Sequence, residues 1–174
     1  MEDPVAFILG VGMYATIDPG ITCVACALWS DADCVLKGMV SRWIKGKTLM
    51  DKCADMAQVV EVLKEKDVHS VWIEHPMYFD TPKGAMVSRK GDLVALVYAA
   101  GFLAGMLHVS GITVHCLPVN EWKGQLNKKQ TRYRMETLHR KNQDMFGGVG
   151  PVAALNEHLV DAIAMGFYLK GYFK

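Results

Sequence analysis

VAFILGVGMYATIDPG, residues 5–20, joins a long apolar run to an abrupt turn signal at Asp18-Pro19-Gly20. Residues 5–17 are therefore predicted to form a buried first strand that ends in this turn. A carboxylate at the end of a buried strand is costly unless it is paired or binds a metal ion. Asp18 is thus the first candidate functional residue, and the alternative is a simple turn aspartate.

Two more strands follow, ITCVACALW at 21–29 and CVLKGMVSRWI at 34–44, and the three together indicate an antiparallel meander. Thr48 is then suited to begin a helix, with Asp51 placed to complete a capping box. The apolar stripe of that helix is predicted to be Leu49, Cys53, Met56, Val60 and Leu63.

The rest of the chain alternates strands and helices. VHSVWI at 68–73 is a short predicted strand ending at Glu74, residues 92–109 an apolar helix, and ITVHCL at 112–117 a further strand. A basic, helix-rich segment spans about 120–146, after which Pro151 is suited to the first turn of the last helix and Gly171 to its end. A meander followed by β-α-β units predicts an α/β fold with a mixed sheet. With no repeat or linker, residues 1–174 are expected to form a single domain.

Composition excludes several classes of protein. Half of the 174 residues are apolar, which argues against disorder, and no apolar run reaches the roughly 18 residues of a membrane helix. The acidic N-terminus also argues against a signal peptide. The five cysteines are scattered, so we expect reduced thiols and a cytoplasmic location. Cys23 and Cys26 form a lone C-x-x-C, for which buried thiols are the favoured interpretation over zinc or redox chemistry.

The net charge is only +1, but the charge is unevenly distributed. Residues 123–141 carry seven lysines and arginines against the single acid Glu136, a local charge of +6 that leaves −5 for the remainder. Such asymmetry is typical of a phosphate-binding face, and a solvated helix surface is the alternative.

Three more candidate ligands accompany Asp18. Glu74 ends a strand in VWIEHP, and Asp161 lies in the apolar last helix with His158 three residues earlier on the same face. A strand-end surface acid and a satisfied polar pair are the alternatives for these residues. An oxygen-rich set of this kind suits Mg²⁺ or Mn²⁺, and Mn²⁺ tolerates one imidazole.

I-D-P-G after the first strand, I-E after the strand that follows the first helix, and H-x-x-D-A on the last helix together resemble the RuvC Holliday-junction resolvases. The resemblance covers most of the chain and implies an RNase H-like fold: a mixed five-stranded sheet flanked by helices. It also implies a homodimer and two-metal cleavage of four-way DNA junctions. Family members carry Asp or His at the position of His158, and Met77 stands where they usually have an aromatic residue. A divergent branch fits these departures, with the host cytoplasm as its location if that branch is viral.

For catalysis, Asp18 is expected to bridge two Mg²⁺ or Mn²⁺ ions, Glu74 and Asp161 to hold one each, and His158 to bind a metal or orient the attacking water. By resemblance, Lys123 and either Lys128 or Lys129 are expected to lie near the scissile phosphate. The expected DNA-binding residues are Lys83, Arg89, Lys90, Lys128, Lys129, Arg132 and Arg134, with Tyr78 and Phe79 stacking on bases.

The helix at 92–109 contains Gly101 and Gly105, a G-x-x-x-G pattern. Close packing of this helix on the sheet is one interpretation, and a two-fold dimer contact, as the resemblance implies, is the other.

Other functions remain open at this level. An RNase H-type or general debranching nuclease is the nearest. A single-lobe actin- or sugar-kinase-like nucleotide-binding protein is another, because the glycines at 147–150 could mimic a phosphate loop. A catalytically inactive junction-binding module is the third. No membrane partner is expected.

Overall fold

The computed structural model describes residues 12–76 and 92–172. In chain order the elements are β1 (Met13–Pro19), β2 (Cys23–Ser30), β3 (Leu36–Trp43), α1 (Leu49–Glu65), β4 (Val68–His75), α2 (Asp92–Val109), β5 (Thr113–Pro118), α3 (Val119–Trp122), α4 (Lys128–Lys141) and α5 (Glu157–Leu169). Two 3₁₀ turns, Gln143–Phe146 and Val152–Ala154, lie between α4 and α5.

The five strands form one mixed sheet in the order β3-β2-β1-β4-β5. β2 runs antiparallel to β1 and β3, whereas β1, β4 and β5 are mutually parallel. The predicted meander and five-stranded mixed sheet are therefore confirmed. Because parallel strands end at the same edge, the residues that close β1 and β4 are brought side by side. The expected beginning of the first strand, residues 5–11, lies outside the described residues.

Helices cover both faces of the sheet, as strand alternation requires. On one face α1 and α2 bury a core that includes Met56, Leu63 and Leu103. On the other face α5 packs over β1 and β2, where Trp29 and Phe167 meet edge to face. The predicted cap of α1 is present: Thr48 accepts a hydrogen bond from the Asp51 amide, and the Asp51 carboxylate accepts one from the Thr48 amide.

A buried hydroxyl joins β1, β2 and α5. Thr16 donates to the carbonyl oxygen of Ala162 across 2.7 Å and accepts from Nε1 of Trp29 across 2.9 Å. The approach of Trp29 to α5 depends on Gly166, where a Cβ atom would stand 2.2 Å from the indole ring. These contacts fix the last helix relative to the first strand.

The prediction for the start of the last helix was wrong. Pro151 precedes the 3₁₀ turn Val152–Ala154, and α5 begins at Glu157, where the Asn156 side chain accepts from the Leu159 amide. Proline also suits the entry to a 3₁₀ turn, so it does not by itself identify an α-helix. Gly171, with φ of +77°, does follow the end of α5.

The glycines of α2 do not pack against the sheet. A Cβ atom at Gly101 or Gly105 would meet no heavy atom within 4 Å among the described residues, so the helix–sheet interpretation was wrong. Both lie on an exposed face with Val94, Val97 and Tyr98. Among the described helices, none combines the length and hydropathy of a membrane span.

All five cysteines are free thiols, as expected. Cys23 and Cys26 are both buried in β2. Because successive residues of a strand face opposite ways, a spacing of three puts these two side chains on opposite faces of the sheet. The C-x-x-C pattern therefore reflects two separate core positions.

Candidate active site

The predicted catalytic side chains converge on one concave pocket of about 330 Å³ at the edge where β1 and β4 end. They come from two strands, the turn after α3, and α5. The predicted residues that line this pocket are Asp18, Glu74, Lys123, Lys128, His158 and Asp161. Side chains far apart in the sequence thus share one small volume.

Asp18 and His158 form a direct pair. Nδ1 of His158 donates to Oδ2 of Asp18 across 2.7 Å, and Asp18 is only 8% exposed. Gly20 makes room for this pair, because a Cβ atom there would stand 2.5 Å from the Cys23 carbonyl oxygen and 3.1 Å from the imidazole. The hydrogen bond to Asp18 raises the pKa of His158, since it stabilises the charged ring. In the neutral ring, Nε2 remains an acceptor.

The surroundings of Glu74 oppose a negative charge on its side chain. Burial, reinforced by the negative charge of Asp18, raises the pKa of Glu74 to about 8. Lys123 and a hydrogen bond from Nε1 of Trp122 to Oε2 of Glu74, 3.1 Å long, act in the opposite direction. Positive charge close to Glu74 therefore favours its ionised form.

Asp161 projects from α5 toward Lys123, whose Nζ donates to Oδ2 across 2.5 Å. Asp161 is 9% exposed, and burial raises its pKa although the lysine works against that shift. The two buried aspartates are thus each held by a different partner, one by an imidazole and the other by an ammonium group.

Within residues 12–76 and 92–172, no three His, Cys, Asp or Glu side chains stand close enough together to enclose one ion. The set nevertheless fits a divalent cation in its chemistry, because three carboxylates offer the oxygen ligands that Mg²⁺ and Mn²⁺ prefer. The raised pKa values of Glu74 and Asp161 indicate that nearby positive charge would stabilise the charged form of each side chain. Ion binding would require Asp161 to exchange its contact with Lys123.

The basic segment begins at the rim of this pocket. Lys128, at the start of α4, forms an ion pair with Glu157, and this hydrogen bond raises the pKa of Lys128. Lys129 and Arg134 are exposed farther along the same helix and line a shallow surface depression with Tyr133. Basic side chains therefore lie both at the pocket and farther along α4.

Arg132 has a different setting from the other basic residues. Its guanidinium group donates to the carbonyl oxygens of Val152 and Leu155, both at 3.0 Å. These contacts hold the 3₁₀ turn before α5 against α4. Five other predicted DNA contacts lie outside the described residues: Tyr78, Phe79, Lys83, Arg89 and Lys90.

Two residues that form hydrogen bonds with predicted pocket residues were not identified from the sequence. Trp122, next to Lys123, resembles an ordinary core residue because an indole hydrogen bond leaves no trace in a sequence pattern. Glu157 precedes His158 and resembles a first-turn acid that favours the helix dipole. Only the fold reveals that these two side chains meet Glu74 and Lys128.

No protein-family model matches the sequence, and no curated protein sequence does either. Solved structures do match the fold. RuvC of T. thermophilus in complex with a Holliday junction substrate has a TM-score of 0.63 and 19% identity, covering 94% of this chain and 98% of that one. The yeast mitochondrial Holliday junction resolvase has a TM-score of 0.54 and 12% identity, with 95% and 81% covered. The human cytomegalovirus terminase nuclease domain has a TM-score of 0.52 and 13% identity, with 95% and 86% covered. The RuvC-like, RNase H-like fold predicted from the sequence is confirmed.

The setting of Arg132 generates a stability prediction. Arg132→Ala should lower the free energy of unfolding by about 1.5–3 kcal/mol, the usual range for hydrogen bonds to a charged group. Lys129→Ala, an exposed control on the same helix, should change it by less than about 0.5 kcal/mol. Urea denaturation followed by circular dichroism measures both, and equal stabilities of the two variants would contradict a structural role for Arg132.

Proposed function

We propose that this protein is a divalent-metal-dependent endonuclease that cleaves four-way DNA junctions. The observation that carries the proposal is the convergence of Asp18, Glu74, His158 and Asp161 in one pocket beside Lys123. The fold supports the same class, since two solved structures with this fold are Holliday junction resolvases and a third is a nuclease domain.

Asp18, Glu74 and Asp161 would hold the metal, and Asp18 lies close enough to the other two acids for its charge to raise their pKa values. Two Mg²⁺ or Mn²⁺ ions held there would supply activation of a water and stabilisation of the leaving 3′-oxygen. The products would carry 5′-phosphate and 3′-hydroxyl ends. No side chain of the pocket needs to act as a covalent nucleophile.

The chain's own residues would bind and orient the DNA. Lys123, once released from Asp161, can contact a phosphate next to the carboxylates. Lys128, Lys129 and Arg134 would extend these phosphate contacts along α4. Contacts to backbone phosphates set the register of the protein on its substrate. Lys83, Arg89 and Lys90 would add to this surface, and Tyr78 and Phe79 would stack on bases. Arg132 would contribute indirectly, because its hydrogen bond to the Val152 carbonyl oxygen holds the 3₁₀ turn that precedes α5.

The exposed face of α2 supports a homodimer. Val94 is 68% exposed and Val109 78% exposed, and Gly101 and Gly105 lie between them without a neighbouring side chain among the described residues. A long apolar face with a glycine groove permits close approach of a second copy. A two-fold dimer would present two pockets to a four-way junction, whose arms are also related by two-fold symmetry.

The nucleotide-binding alternative depends on the glycines at 147–150, and the first of these has a packing role. A Cβ atom at Gly147 would overlap the Leu36 carbonyl oxygen at 1.8 Å, and φ there is +55°. This glycine is therefore required by packing against β3, which accounts for its presence without a phosphate. An RNase H-type or general debranching nuclease shares the pocket and is separated by substrate choice.

Cleavage of synthetic substrates tests the proposal. Purified protein with Mg²⁺ should cut a four-way junction faster than a flap, a linear duplex or an RNA–DNA hybrid, and EDTA should stop it. Asp18→Asn, Glu74→Gln and Asp161→Asn should each slow cleavage by more than about 100-fold, since direct ligands should exceed the roughly 10- to 100-fold effect of outer groups. Asp144→Asn, an exposed acid, is the control.

Binding should survive these substitutions, because the grip on DNA is assigned to lysine and arginine. Full activity in any one of the three variants would remove that residue from the site. Faster cleavage of the hybrid would favour an RNase H-type enzyme, and equal binding of junction and duplex at several salt concentrations would favour a less selective nuclease.

The pKa of His158 predicts an acid limit for activity. His158 must be neutral to present Nε2 to a metal or water, so the rate should fall as the pH drops through its pKa in the folded protein. Because Asp18 raises that pKa, the fall should begin above about pH 6.5, the ordinary value. His158→Asp should keep activity with the acid limit moved lower. A pH–rate profile at saturating Mg²⁺ measures this, and wild-type behaviour of His158→Ala with both Mg²⁺ and Mn²⁺ would contradict the role.

The α2 face predicts the oligomeric state. Val97→Glu should convert a dimer into a monomer, because a charge would be buried without a partner in the contact. Ala54→Glu on exposed α1 is the matched control and should remain dimeric. Sedimentation velocity separates the two species, and a monomeric wild type would eliminate this dimer.

A further inference from the structure

Trp122 occupies an unusual position between the core and the catalytic pocket. It ends the one-turn helix α3, is 3% exposed, and belongs to the core cluster that includes Leu117 and Val160. β5 runs parallel to β4 with Leu117 opposite Glu74, so the chain that leaves β5 turns directly past the end of β4. This topology brings the indole to the Glu74 carboxylate.

Both polar features of the indole face residues of the pocket. Its N–H group donates to Oε2 of Glu74 across 3.1 Å. Its ring lies 5.0 Å from Nζ of Lys123, the group that also binds Asp161. One rigid side chain therefore contacts the carboxylate on β4 and the lysine that pairs with the carboxylate on α5.

We propose that Trp122 is a positioning residue that fixes the orientation of Glu74 for metal binding; this inference rests on the proposed function. A glutamate side chain loses rotamer freedom when it binds an ion, and a prior hydrogen bond from a buried ring removes part of that cost. The indole is a donor that remains neutral. It can satisfy one oxygen of Glu74 without cancelling the negative charge that attracts the cation, which a lysine in its place would do.

Trp122→Phe removes the donor and keeps an aromatic face for Lys123. Mn²⁺ titration of the full-length protein without DNA, with free Mn²⁺ followed by electron paramagnetic resonance, should show affinity weakened by about 10- to 100-fold. Trp72→Phe is the matched control, since Trp72 lies on the same strand as Glu74 but stacks on His115, and its affinity should equal that of wild type. In cleavage assays, Trp122→Phe should raise the Mn²⁺ concentration needed for half-maximal rate more than it lowers the rate at saturating metal.

A second variant separates the hydrogen bond from packing. Benzothienylalanine at position 122 preserves the bicyclic shape, replaces N–H by sulfur, and also decides the question if Trp122→Phe fails to fold. Weak Mn²⁺ binding by this variant supports the inference, whereas binding as tight as wild type overturns it, whatever Trp122→Phe shows. If the wild-type protein itself binds no Mn²⁺ and cleaves no junction, the proposed function fails and the inference fails with it.

Discussion

The hydroxyl group of Thr16 is the contact on which the geometry of the pocket depends. It links Trp29 on β2 and the carbonyl oxygen of Ala162 on α5 to the middle of β1. Thr16 lies two residues before Asp18, and Ala162 directly follows Asp161. The hydrogen bonds therefore fix the distance between two carboxylates from opposite ends of the chain. Because the group is buried, an unpaired partner would cost about 1–3 kcal/mol, which favours this one arrangement.

Electrostatics set the second constraint. Three acids share a buried pocket, where Lys123 donates to Asp161, His158 donates to Asp18 and Trp122 donates to Glu74. All three contacts are hydrogen bonds, so each carboxylate keeps further oxygen lone pairs that can accept another partner. The pocket therefore combines hydrogen-bond donors that stabilise the buried acids with carboxylate oxygens of the kind that divalent cations prefer.

Local signals in the sequence predicted much of the fold. The turn at Asp18, the cap at Thr48 and the end of β4 close to Glu74 depend on neighbouring residues, so they can be predicted without knowledge of tertiary contacts. Trp122 and Arg132 could not be assigned this way, since their partners lie more than ten residues away and are met only after folding. The start of α5 was predicted wrongly from Pro151, because proline suits the first turn of both α- and 3₁₀-helices. The sequence could not decide whether Gly101 and Gly105 face the sheet or a second copy of the chain, because the orientation of α2 depends on tertiary packing.

The placement of His158 and Asp161 on α5 has a consequence for synthesis of the protein. A ribosome-bound chain that has emerged only through α4 possesses Asp18 and Glu74 but neither of the pocket side chains from the last helix. It also lacks the helix that covers Trp29 on β2. Long-range contacts of this kind form late, since closing a large loop is entropically costly. A nascent polypeptide that lacks α5 therefore cannot assemble the complete pocket.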